Sequence, residues 1–103
     1  MKTKQEKKQI RDKVREKIKE IYSKRILDIL KERDVGLTEF SKAMGVSRQY
    51  VHQTLNGGSG TSPTGITITK FVEMCMVLNV SPGEILDEVW ANKEVKQLKE
   101  WGR

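Results

Sequence analysis

The 103-residue chain has one cysteine and one histidine. One cysteine cannot close an intrachain disulfide, and the two residues cannot by themselves build a structural zinc site. No nucleophile, base and orienting group can be assembled from them either, so the sequence points away from an enzyme and calls for no metal and no cofactor. Prolines number two, at positions 63 and 82, and both stand at boundaries. The longest unbroken apolar run is Met74–Leu78, far short of the ~20 residues that span a bilayer. The charged N-terminus has no apolar stretch behind it, so no secretory signal is expected. There is no internal repeat and no low-complexity tract. Strand-like alternation is confined to Ile66–Ile68.

Charge is plentiful. Lys and Arg number 20 against 14 Asp and Glu, a formal charge of +6, and charged residues make up 33% of the chain. The 36% that is hydrophobic supports a modest core in one domain. The expectation is a small, soluble, cytoplasmic protein with an acidic partner, nucleic acid ahead of anionic membrane. The charge is uneven. Residues 1–20 hold nine basic and four acidic side chains, whereas residues 71–90 hold four acids (Glu73, Glu84, Asp87, Glu88) and no base. Such a basic arm is either a solvated helix face or an added set of phosphate contacts.

Apolar residues recur at helical spacing, which predicts an all-α chain. Thr3-Lys4-Gln5-Glu6 offers a capping box to the first helix. Ile10, Val14, Ile18 and Ile21 form one stripe; Ile26, Leu27 and Leu30 fall almost opposite it. Either the helix breaks near Tyr22-Ser23, with Ser23 capping a new one, or one long helix uses one end in its own core and offers the other stripe to a partner. Gly36 is the expected stop. A short helix from about Leu37 to Met44, a turn at Gly45 and a second helix capped by Ser47 and running to Leu55 come next. The tract from Asn56 to Gly65 reads as a loop; its Gly57-Gly58-Ser59-Gly60 lacks the flanking residues of a phosphate-binding loop. Thr67 caps a helix with Ile68, Phe71, Val72, Cys75 and Leu78 as its core stripe, widened by Met74 and Met76. Cys75 there is a small buried hydrophobe. Ser81-Pro82-Gly83-Glu84 offers a capping box with proline at the first helical position. Ile85, Leu86, Val89 and Trp90 give the next helix its apolar side, and Ala91, Val95, Leu98 and Trp101 a terminal stripe.

The informative tract is Leu37 to Gly57. Two short helices flank Gly45, and apolar residues stand only where the pair must pack: Phe40, Met44, Val46, Val51 and Leu55. What remains on the second helix is Arg48, Gln49, Tyr50, His52 and Gln53. That face suits a major groove, where Arg pairs with guanine O6 and N7 and Gln with adenine N6 and N7.

The tract resembles the helix-turn-helix of the Cro and phage-repressor (XRE) family, and Gly45–Val51 is also similar to the core of the lactose-repressor-type motif. Ile68–Leu86 resembles the family's fourth and fifth helices with their Val-Ser-Pro connection, and Arg25–Arg33 its first. The resemblance covers about residues 22–88. It departs at Ser41, usually Ala; at Thr54, usually apolar; and in the long, glycine-rich loop 56–65. It implies a five-helix, lambda-repressor-like domain over 22–90 with its motif at 37–56, a basic amphipathic helical extension over 1–21 and a C-terminal amphipathic helix over 91–103. By position it makes Arg48, Gln49, His52 and Gln53 base readers, and Ser47, Tyr50, Asn56 and Lys70 further DNA contacts. The terminal stripes, Ile10, Val14 and Ile18 with Val95, Leu98 and Trp101, either pack within the chain or form a homodimer interface suited to a two-fold operator. The expected function is sequence-specific binding of double-stranded DNA by a repressor that occludes a promoter, of prokaryotic or phage origin. The alternatives are an antitoxin-like protein that binds a partner protein through its terminal helices, and a non-specific nucleic-acid factor driven by the arm.

Overall fold

The computed structural model describes residues 3–56, 63 and 65–97. Among them are five helices and no strand: α1 (Lys4–Glu32), α2 (Leu37–Met44), α3 (Arg48–Leu55), α4 (Ile68–Leu78) and α5 (Pro82–Ala91).

The first helix is continuous through Ser23. Nothing in Glu20–Lys24 breaks a helix, and Ser23 does not cap one. It is buried, and its hydroxyl donates to the Thr54 carbonyl 3.3 Å away, at the end of α3. The two apolar stripes therefore belong to one helix whose halves have different surroundings. Tyr22, Ile26, Ile29 and Leu30 enter the main core. Toward the N-terminus Val14 is buried, and Ile18 packs against the edge of the core. Helix α5 lies along α1, and ion pairs join Arg25 to Glu88 (3.9 Å) and Lys17 to Glu94 (3.8 Å). The pairing order makes the two segments antiparallel. Both pairs are solvent-exposed and contribute little to stability.

Three helices end the same way. Asp34 (φ 54°), Gly45 (φ 70°) and Asn79 (φ 54°) take the left-handed conformation after α1, α2 and α4. After each, a valine amide bonds back five residues: Val35 to Leu30, Val46 to Ser41 and Val80 to Cys75, at 2.9–3.0 Å. This is the Schellman arrangement, which satisfies otherwise unpaired carbonyls and folds an apolar residue under the helix end. Val35, Val46 and Val80 all pack against the core. Gly36 is accordingly not the stop of α1. It is extended (φ −78°) and stands at the N-cap of α2, with no side-chain cap. Asp34 takes the strained position, a conformation that Asp and Asn tolerate better than most residues.

Thr3 and Thr67 cap as their sequence suggests, accepting from the amides of Glu6 (3.1 Å) and Lys70 (3.2 Å). Ser81 occupies the N-cap of α5 without a side-chain bond; Pro82 in the first turn sets the start instead. At the far end of α4 the Arg33 guanidinium donates to the Leu78 carbonyl, placing a cation on the helix's negative pole.

The core of α4 is narrower than its sequence suggests. Phe71, Met74, Cys75 and Leu78 are buried, at i, i+3, i+4 and i+7. Ile68 is 65% exposed and Met76 73% exposed, so neither is core. With half-buried Val72 they form a second stripe, roughly 100° around the helix. On α5, Ile85 and Val89 are buried while Leu86 and Trp90 face outward. Burial pushes the Cys75 thiol up. The two hydroxyls at usually apolar or alanine positions are satisfied by their own helices: Ser41 donates to Thr38 (2.7 Å), and Thr54 to Tyr50 (2.9 Å) and Val51 (3.2 Å).

Candidate nucleic-acid interface

Helix α3 is anchored on one side and open on the other. Val51 and Leu55 are fully buried, and α3 packs against both α2 and α1. The Ser47 hydroxyl accepts from the Tyr50 amide at 3.0 Å and fixes where α3 begins. At the other end the Asn56 amide donates to the His52 carbonyl at 2.8 Å. The turn before α3 depends on Gly45, the residue that closes α2.

Arg48, Gln49, His52 and Gln53 are all exposed. Arg48, Gln49 and His52 line one shallow open depression, and Gln53 follows Gln49 by one turn. The first turn of α3 holds no acid, and Arg48 forms no ion pair among the described residues. The helix thus presents a cation, two amides and an imidazole with no carboxylate of its own to compete for them.

The remaining expected contacts divide. Ser47 and Asn56 are exposed at the two ends of α3, although the Ser47 lone pair is engaged in capping. Tyr50 is half-buried and packs against the core, so much of its ring is structural. Lys70 stands apart, in the first turn of α4 with its ammonium 3.6 Å from Glu73.

Of the expected interface residues, Val14 is buried within the chain and Ile18 packs on the core. Ile10 and Val95 are half-buried. The Asn92 side chain accepts from the amides of Glu94 (2.9 Å) and Val95 (3.2 Å) and starts a helical turn there. Leu98, Trp101 and the glycines of the 56–65 loop other than Gly65 lie outside the described residues.

One feature was not singled out from sequence. Arg15, Lys19 and Tyr22 of α1 line a groove with Gly65 and Ile66, in the connection that follows α3. Asp12, Glu16 and Ile18 complete it. The Tyr22 ring meets Phe71 edge-on at 5.8 Å, and burial raises its hydroxyl pKa against the opposing effect of a backbone hydrogen bond with Ile66. Only the continuity of α1 brings its basic half beside this connection.

A family model described as a Cro/C1-type HTH DNA-binding domain matches residues 25–89. Comparison with curated proteins and with solved structures finds no significant match. The match begins inside α1 and ends near the close of α5, and it contains the whole of α2 and α3. The chain belongs to the Cro/C1-type helix-turn-helix DNA-binding domains.

Proposed function

We propose that the protein is a transcriptional repressor that binds a specific duplex site with α3 in the major groove. The observation that carries this reading is the division of α3. Val51 and Leu55 hold it to the core, while Arg48, Gln49, His52 and Gln53 stand exposed. The N-terminal residues of a recognition helix reach base edges, so Arg48 and Gln49 are the first readers, with His52 and Gln53 one turn on. Ser47 and Asn56 serve the sugar–phosphate backbone from the two ends of α3; Tyr50 and Lys70 contribute less, being half-buried and ion-paired respectively. Repression follows from occupancy of a promoter in a prokaryotic or phage setting.

The protein acts as a homodimer on this reading. Val14 and Ile18 are engaged within the chain, so the exposed apolar side chains of α4 and α5, Met76 and Trp90 foremost, are the better surface for a second copy. The same exposed residues favour one alternative, an antitoxin-like protein that covers them with a different partner. Copurification of a small second protein from the native host would select that alternative.

The test is selection from a random duplex library at about 150 mM salt, where weak phosphate-only binding is suppressed. An enriched palindrome supports a dimeric reader, and its half-site spacing reports the dimer geometry. Absence of any enriched sequence overturns the reading.

A further inference from the structure

We propose that the N-terminal half of α1 is a phosphate-binding rail that carries the DNA contact beyond the helix-turn-helix, through Lys4, Lys8, Arg11 and Arg15. The proposal rests on the DNA-binding reading of α3 and adds a second surface to it.

The first observation is register. Lys4, Lys8, Arg11 and Arg15 follow one another at i, i+4, i+7 and i+11. On a continuous helix at roughly 100° per residue they fall within an arc of about 60°. The carboxylates of the same segment, Glu6, Asp12, Glu16 and Glu20, fall outside that arc. The second observation is pairing. Four other cations of α1 are engaged: Lys17 with Glu20 and Glu94, Lys19 with Glu16, Lys24 with Asp28, Arg25 with Glu88. The four residues of the stripe form no ion pair among the described residues. Lys4, Lys8 and Arg15 are exposed and Arg11 half-buried.

The third observation is direction. Continued along α1, the stripe runs through Lys19, Tyr22 and Ile26. Lys19 lies alongside Gly65, Tyr22 meets Phe71 and Ile26 is fully buried. The basic stripe is thus on the side of α1 that faces the connection between α3 and α4. The Ser23 hydroxyl on the Thr54 carbonyl pins α1 to the last turn of α3, so the arm leaves the body beside the recognition helix. From Lys4 to Arg15 the helix rises about 16 Å, against about 3.4 Å of duplex axis per phosphate of one strand. Four cations over that length carry the sign a nucleic-acid backbone requires and reach several successive phosphates.

The test compares the full chain with two variants of equal charge. One carries Lys4→Gln, Lys8→Gln, Arg11→Gln and Arg15→Gln. The other carries Lys13→Gln, Lys17→Gln, Lys24→Gln and Lys31→Gln, on the opposite side of α1. Binding to a mixed-sequence duplex of about 40 base pairs is measured against salt, where each phosphate contact adds about 0.9 to the log–log slope. Sedimentation and circular dichroism of the free proteins accompany it. The stripe variant is expected to lose about 3.6 in slope and the opposite-side variant less than about 1, with mass and helicity unchanged in both. Equal losses would mean that net charge alone acts, and would overturn the rail. An unchanged slope with a fall in mass would assign the stripe to the acidic 71–90 segment of a second copy, and would also overturn it. If the unmodified chain binds no duplex at all, the reading of α3 falls and takes the rail with it; a bound wild type with an unmoved stripe variant removes the rail alone.

Discussion

At the scale of the residue, Arg48 carries the sharpest expectation. It stands at the first position of α3, exposed, unpaired among the described residues and beside Gln49 and His52 in one depression. Arg48→Ala should cost roughly 1–3 kcal/mol of binding to the preferred site and relax selection at one base pair. Competition against single-base-pair variants of that site measures both. A uniform loss on every sequence would reassign Arg48 to the phosphate backbone. The exposed face was legible in the sequence, because α3 has so few apolar residues that Val51 and Leu55 can only be its buried side. The placement of Tyr50 and Lys70 was not. Whether a tyrosine at the edge of a helix lies in or out depends on neighbours from other elements, and the Lys70–Glu73 pair competes with any phosphate.

At the scale of the element, two glycines of the same tract should respond in opposite directions. Gly45 holds φ at 70°, with open space where a side chain would go. Gly45→Ala therefore meets no clash and pays only for the left-handed backbone, about 1 kcal/mol. Gly36 has an ordinary φ of −78°, also in open space, and caps α2 without a side chain. Gly36→Ser supplies a capping hydroxyl and stiffens the unfolded chain, a gain of about 0.5 kcal/mol or more. Urea midpoints at unchanged m-value would show both; a stabilising Gly45→Ala would contradict the left-handed turn. The sequence marks α3, α4 and α5 well, because Ser47, Thr67 and Pro82 are strong local start signals. It left α1 open because the decisive contact is not local: Ser23 bonds a carbonyl 31 residues away, and no nearby residue announces that. It also misjudged α4. A helix apolar on nearly every side has too weak a periodicity to say which stripe goes in, and packing against α2 and α5 chose Phe71, Met74, Cys75 and Leu78 over Ile68 and Met76.

At the scale of the whole molecule, the proposed homodimer assigns the exposed stripes of α4 and α5 to the contact between copies. Met76→Lys and Trp90→Lys, each made alone, should shift the sedimenting species toward one chain while leaving helicity intact, since both residues are mostly exposed in the single chain. An unchanged mass for both would overturn the assignment of this surface to a second copy. Cohesion of the single chain has its own titration. Tyr22 joins α1, the Ile66 segment and α4 at one buried contact, and burial is the largest influence raising its pKa above the ordinary value of 10.0. The neutral phenol is the form the fold accepts, whereas the unfolded chain ionises at the ordinary value. The stabilising difference is therefore fully present below pH 10 and is lost as pH rises through the higher folded-state value. Stability measured by urea denaturation should fall as pH rises above 10, and Tyr22→Phe, which keeps the ring against Phe71, should flatten that fall. Tyr50 is a second phenol close enough to be felt by the first, so Tyr50→Phe serves as the comparison. If it flattens the alkaline loss as much as Tyr22→Phe does, the titration belongs to the pair, and the Tyr22 contact is not by itself the alkaline weak point of the fold.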